Sequence, residues 1–225
     1  MSVLRLEYMG LVIFFIIVLA IYIYILQFYH IEVPKYFIDE IQFRTGDVIL
    51  FKAQNNFNAP KIASYFTHIG VVYVRGDQVY LFEANGIEGM NLKKHHNKNG
   101  VFLSKLYGRA SKYKGRCFLK PLIGPPIDDE VLIEFEKFMK YALSNMYYDT
   151  RVIRSSVGKW INGIECGHDN GTNCGELAYL SLVNLGIIEK GLTLHYLKYI
   201  SELGKCEGEY KYGSLIELID HPFDM

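Results

Sequence analysis

In residues 172 to 180, "TNCGELAYL", a thiol stands between a small polar residue and a glycine, where an apolar helical pattern begins. A cysteine that only packs belongs inside the apolar stripe. Cys174 instead falls at the expected first turn, near unpaired backbone N–H groups and the positive end of a helix dipole, which lower a thiol's pKa. A thiolate nucleophile also needs a base within hydrogen-bond reach and a third group to orient that base. Of the seven histidines, His68 alone opens a buried strand pattern, "THIGVV". A ring on such a strand can be held in place, which a ring on a loop cannot. The following apolar run, "YLFEAN", carries one carboxylate, Glu83, and a charge there is costly unless paired. If Arg75 to Asp77 form the turn between these runs, residues 83 to 85 come opposite His68. Glu83 is then the third group. Asn85 is the reserve should the turn be the tighter Gly76-Asp77, because a slip of one residue exchanges the faces.

The bland alternatives are a buried inert cysteine, a hydrogen-bonded core histidine and an edge-strand charge. A competing chemistry is a structural zinc site from Cys166, His168, Asp169 and Cys174 in "CGHDNGTNC". Its spacing is not that of a common zinc finger, and no second cysteine pair completes it. No metal or organic cofactor is expected. His30, His95, His96, His195 and His221 fall in linker, basic-loop, short-helix or terminal positions and are set aside.

These residues need a scaffold, and the pattern predicts an α+β one. Strands are expected at Val48 to Phe51, at "THIGVVYV" and "QVYLFEA" as an antiparallel hairpin, and at "GVFLSKLY" and "GRCFLKPLI". Pro125-Pro126 closes this half. A helix capped by Asp128 or Asp129 runs to about Ser144, with Leu132, Phe135, Met139 and Ala142 along one buried stripe. A glycine- and asparagine-rich loop leads to the helix that begins near Cys174 and stops at Gly186. Thr193 to Leu203 suggest a further short helix.

The chain has 225 residues, with 24 Lys and Arg against 24 Asp and Glu. That balance gives no electrostatic footprint for nucleic acid. The 18 Tyr and 14 Phe supply ample core material. Four irregularly spaced cysteines do not form a disulfide framework, and a reducing compartment is expected. Met9 to Phe28 is uncharged, apolar on every face and about long enough to cross a bilayer as a helix. Aromatic residues crowd its C-terminal end, as in an interfacial belt. The expected organisation is an anchor over 1–30, a linker over 31–42 and a soluble domain over 43–225. The expected location is a membrane, crossed once.

"TGDVILF", "THIGVVY", "YLFEA" and a late "NCGEL", in this order over roughly residues 43 to 186, resemble the circularly permuted branch of the NlpC-type papain-like superfamily. That branch includes YiiX-like proteins, the lecithin retinol acyltransferase group and a poxvirus group. The resemblance implies a permuted papain-like domain, an antiparallel sheet packed with helices. It implies Cys174 as nucleophile, His68 as base and Glu83 as third residue. "YYD" at Tyr147 to Asp149 is similar to a Tyr-Asp pair in YiiX-like members. Gly175-Glu176 after the cysteine, and a single polar third residue, depart from the acyltransferases. The implied function is a membrane-anchored cysteine hydrolase or acyltransferase acting on an amide, ester or thioester, with lipid or lipidated substrates favoured by the anchor and a peptidase as the nearest rival. The poxvirus members make a viral source an expectation. The alternative from another class is an anchored interaction protein that keeps the fold without turnover.

Overall fold

The computed structural model describes residues 12–22, 33–53, 66–85, 100–148, 171–189 and 206–220. The chain divides into two units, residues 1–33 and 34–225. In the first, residues 12–22 are helical and their large apolar side chains are exposed. Among the described residues, no helix is long and apolar enough to cross a membrane. The rest of the expected span lies outside the described residues.

The second unit is a mixed α+β domain around a seven-stranded sheet. Its strands are β1 (Lys35–Phe37), β2 (Val48–Ala53), β3 (His68–Arg75), β4 (Gln78–Ala84), β5 (Val101–Lys105), β6 (Gly115–Lys120) and β11 (Ile216–Ile219), in the order β1-β11-β6-β2-β3-β4-β5. All pairings are antiparallel except β1 with β11. Two short ribbons stand apart: β7 (Leu122–Ile123) with β10 (Lys211–Tyr212), and β8 (Tyr147–Tyr148) with β9 (Gly171–Thr172). Among the described residues, the helices of this unit are α1 (Leu106–Ser111), α2 (Asp129–Asn145) and α3 (Cys174–Asn184).

Val48, Ile49, Leu50 and Phe51 of β2 are fully buried. An unbroken apolar run suits a central strand covered on both faces. In β4 successive side chains go to opposite faces, and both faces are covered. Leu81 of β4 joins Ile49, Phe51, Val72, Leu119 and Leu106 in one apolar cluster, which Ile38 and Phe43 complete. Phe82, one residue on, meets Phe135 and Phe138 of α2 on the opposite side. The helix α3 packs across β3 and β4 and against α2.

Three sequence expectations are corrected here. The strand expected through Tyr107 stops at Lys105, and Leu106 opens α1 with its side chain fully buried. Tertiary burial of Leu106 overrides the local strand pattern. The run "GRCFLKPLI" splits at Pro121, which has no N–H to give to the ladder. Residues 35–40, expected within a linker, form β1 and a 3-10 turn. Lys35 pairs there with Glu217, whose carboxylate is also gripped by Arg116 at 2.6 Å. The expected stripe of α2 is present, with Phe135, Met139 and Ala142 buried. Asp128 occupies the N-cap position without a side-chain capping bond. The expected helix over Thr193 to Leu203 lies outside the described residues.

The chain enters the sheet through one polar clip. Gly46 has a φ of 93°, a conformation that glycine adopts without a Cβ penalty. This turn buries Asp47, whose carboxylate accepts from the Arg44 N–H at 2.9 Å and the Leu122 N–H at 2.7 Å. Burial raises its pKa to about 6, and the two N–H bonds work against that rise. Asp47→Ala would take the acceptor from the buried Leu122 N–H and the part-buried Arg44 N–H. We expect a loss of about 2–4 kcal/mol in urea unfolding. A loss below about 1 kcal/mol would mean that the clip does not hold β2 to β7.

Candidate active site

The strand β3 begins at His68, and β4 returns past it through a tight turn in which Arg75 faces Gln78. The turn is therefore the two-residue Gly76-Asp77 form. Continued along the strands, that register sets Gly70, not His68, opposite Glu83. Yet Glu83 is the residue that reaches the ring: His68 Nε2 and Glu83 Oε2 are 2.5 Å apart. The contact is diagonal, between positions two residues out of register, which long side chains can span. Gly70 permits it. A Cβ there would stand 3.2 Å from the Glu83 Cβ and 2.7 Å from Leu81 Cδ1. Asn85, the reserve residue, uses its backbone N–H to bond the Gly100 carbonyl at 2.7 Å.

Glu83 is buried, with its side chain only 1% exposed. A carboxylate so placed needs more than one partner. The second is Arg109, whose Nε donates to Oε1 at 2.6 Å and whose Nη2 donates to Oε2 at 3.3 Å. Arg109 lies on α1, three residues after Leu106 and so on the same side of the helix. Its guanidinium stacks over Phe51 at 5.0 Å and beside Tyr113 at 5.5 Å. Burial alone would raise the Glu83 pKa. The bonds to His68 and Arg109 outweigh it and hold the carboxyl below its ordinary value.

Cys174 is the first residue of α3, as the sequence suggests. Asn173 caps the helix, its Oδ1 accepting from the Glu176 N–H at 2.9 Å. The thiol is hydrogen-bonded to His68, and the backbone N–H groups of Ile69 and Gly175 also donate to the sulfur. With Nε2 committed to Glu83, Nδ1 is the ring nitrogen available to sulfur. Burial would push the Cys174 thiol up, but the His68 bond and charge dominate and lower it. Burial would push the His68 ring down. The bonds to Cys174 and Glu83 overcome that and raise it to about 9. Both shifts favour a charged sulfur and a charged ring over the neutral pair.

The structure therefore brings Cys174, His68 and Glu83 together. The other zinc candidates, Cys166, His168 and Asp169, lie outside the described residues, as does Asp149. Among the described residues no group of three or more His, Cys, Asp and Glu is placed to hold a metal ion. Two neighbours stand beside these three: Arg109, which the sequence did not mark, and Tyr148, marked there only as part of "YYD". Arg109 was hidden because the strand pattern ran through Leu106. Its only signal is its i+3 spacing from a buried leucine. Tyr148 of β8 pairs with Thr172 just before the cysteine, and burial together with the Cys174 charge pushes its hydroxyl up to about 12. It therefore stays neutral near pH 7. Gly100 makes room for it, since a Cβ there would meet the Tyr148 Cβ at 2.5 Å.

No family model matches the chain, and no curated protein matches it. A crystal structure of the metalloprotein YiiX from Escherichia coli O157:H7, DUF1105, is similar with a TM-score of 0.44 and 19% identity, over 64% of this chain and 67% of that one. Likeness at that level carries no argument of its own, and the chemistry rests on the side chains.

The pH behaviour follows from the signs. The folded pKa of His68 is raised above its ordinary 6.5, so the stability this ring contributes is full below about 6.5 and lost as pH rises through about 9. The Cys174 pKa is depressed, so its contribution is full above the ordinary 9.0 and lost as pH falls through the lowered value. Between these limits the ion pair persists. Iodoacetamide should therefore label Cys174 at pH 7 faster than Cys117, whose thiol burial pushes up to about 12, and faster than Cys206, whose thiol is also raised. The His68 ring should titrate near 9 by NMR. Site-resolved mass spectrometry in which Cys174 tracks Cys206 across pH would remove the ion pair.

Proposed function

We propose that the protein is a membrane-anchored cysteine hydrolase or acyltransferase that attacks an amide, ester or thioester carbonyl. The observation that carries this is the Cys174 thiol at a helix start, bonded to His68, with His68 bonded in turn to Glu83. In the proposed reaction the Cys174 sulfur adds to the carbonyl carbon and the carbonyl oxygen takes the negative charge. The backbone N–H of Cys174 is the candidate donor to that oxyanion, because the first N–H groups of a helix have no intrahelical acceptor. The His68 imidazolium gives its proton to the departing amine, alcohol or thiol as the C–N, C–O or C–S bond breaks. A thioester to Cys174 remains. His68, now neutral, takes a proton from water or an acceptor alcohol or amine, which attacks the thioester. The sulfur leaves as thiolate and His68 is again protonated. Glu83 keeps the ring in one orientation throughout and receives no proton. The reaction as written uses no cofactor.

The order of the parts supports membership of the permuted papain-like group, with a strand histidine ahead of a helix-start cysteine. The anchor rests on the uncharged run Met9 to Phe28 and on the exposed apolar side chains of residues 12–22. An anchored enzyme meets substrates at the bilayer, which favours lipids or lipid-modified proteins. A peptidase is the nearest rival.

Cys174→Ala should abolish covalent labelling by an electrophilic acyl probe, and Cys166→Ala should not. His68→Ala should cut labelling near pH 7, since the thiolate fraction falls toward the few per cent of a free thiol. Raising the pH should partly restore labelling in His68→Ala and never in Cys174→Ala. Equal labelling of wild type and His68→Ala at every pH would leave an anchored interaction domain as the better description.

The anchor has its own test. Full-length protein should remain in the pellet after carbonate extraction of membranes, and a chain lacking residues 1–27 should be released and folded. A full-length chain that washes off, or a truncated chain that will not fold in several variants, would mean that the segment packs against protein and not lipid.

A further inference from the structure

The buried carboxylate of Glu83 has two cationic neighbours and only one of them touches the nucleophile. We propose that Arg109 is a positioning residue of the site, a fourth member that acts on Cys174 only through Glu83 and His68. This rests on the cysteine-nucleophile reading above. The geometry is specific. Oε1 of Glu83 is taken by Arg109 Nε, while Oε2 is shared between Arg109 Nη2 and His68 Nε2. Two donors from one planar guanidinium fix the plane of the carboxylate. That plane decides where Oε2 lies, and Oε2 decides the ring orientation of His68. The guanidinium is itself fixed by Phe51 and Tyr113, and its side chain is only 10% exposed. Phe51 also lies against the His68 ring, with centroids 5.3 Å apart. One aromatic ring thus seats both cationic partners of Glu83.

Among the described residues, three other titratable groups feel this centre. Cys117 on β6 is influenced by Arg109 and Glu83. Tyr113, after α1, is influenced by Arg109 and Glu83 and bonds with Thr67. Tyr148 on β8 faces Cys174. With their pKa values raised, Cys117, Tyr113 and Tyr148 remain neutral near pH 7, so among the described residues Arg109 is the cation that balances Glu83 once His68 is paired with Cys174. Without the fork, a buried carboxylate with one remaining partner loses its fixed plane and gains a proton more readily. Either change withdraws Oε2 from His68, and the imidazolium and the thiolate it supports both weaken.

A merely structural arginine would lower stability and leave the chemistry of the folded fraction unchanged, so the test reads chemistry. Full-length protein in detergent micelles is prepared as wild type, Arg109→Gln, Arg109→Lys, Glu83→Gln and the Arg109→Gln/Glu83→Gln double variant. Two quantities are followed against pH in the folded fraction: the iodoacetamide rate at Cys174 and the NMR titration of His68. Arg109→Gln should lower the His68 midpoint by about one pH unit and slow Cys174 at pH 6 to 7 about tenfold. Arg109→Lys keeps the charge without the fork and should fall between. It carries the test if Arg109→Gln does not fold. In the Glu83→Gln background, Arg109→Gln should change either quantity by less than about twofold. Folded Arg109 variants with wild-type titration and rate, an upward His68 shift, or an equal drop in both backgrounds would each overturn the proposal. A wild-type Cys174 no faster than Cys206 would instead sink the nucleophile reading, and the His68 titration would still decide the role of Arg109.

Discussion

One buried carboxylate sets the terms for the domain. Glu83 lies in a central strand, almost wholly shielded from water. An ionised carboxyl there would be several kcal/mol out of place unless every lone pair that matters is met. His68 and Arg109 meet them from different elements, β3 and α1. Gly70 stands opposite Glu83, where a Cβ would press on Leu81 and on the Glu83 Cβ. The approach of Arg109 requires Leu106, whose burial presses α1 onto the sheet so that the guanidinium arrives at the right height. Packing and chemistry are therefore coupled through a single side chain.

The two faces of the sheet divide the remaining work. One face carries Leu81 and Glu83 toward α1 and the segment around Phe43. The other carries Tyr73 and Phe82 toward Phe135. The helix α3 lies across β3 and β4, and its first residue comes level with the start of β3. The sulfur can then take the Ile69 N–H, adjacent to His68, as well as the Gly175 N–H of its own helix. These N–H donors are fixed by the backbone, and with the His68 ring they favour the charged form of the sulfur.

Much of this was legible in the residues themselves. The strand runs beginning at Val48 and His68, the hairpin, the α2 stripe and the helix start at Cys174 all follow from periodicity and turn chemistry. Glu83 was legible for a sound reason, the cost of a lone charge in an apolar run. The register argument behind it was weaker. With the tight Gly76-Asp77 turn, that argument favours Asn85, and Glu83 meets His68 only because Gly70 opens a diagonal. A contact between out-of-register positions depends on what is absent from a third one, and no local pattern encodes that. Arg109 was illegible for a related reason. "SKLYGRAS" has no strong helical stripe, and its helix exists because Leu106 finds a place in the core. Residues 35–37 were illegible too, since their strand partner Glu217 lies near the other end of the sequence.

The signs of the four groups carry one further consequence. In the charged forms that the shifts favour, they run thiolate, imidazolium, carboxylate, guanidinium, so each charge faces its opposite and the centre sums to zero. A neutral sum lets such a cluster sit inside a protein at tolerable cost, because its field cancels over a short distance. It also means that Glu83 and Arg109 behave as one unit. Replacing the carboxylate by a neutral amide would leave a guanidinium buried against Phe51 with a lone positive charge on the imidazolium side. Replacing the arginine alone would leave a carboxylate without its fixed plane, and Oε2 would be withdrawn from the ring. Both changes weaken the grip on the proton at His68. The imidazolium can serve the sulfur because the carboxylate behind it is already satisfied by a second cation.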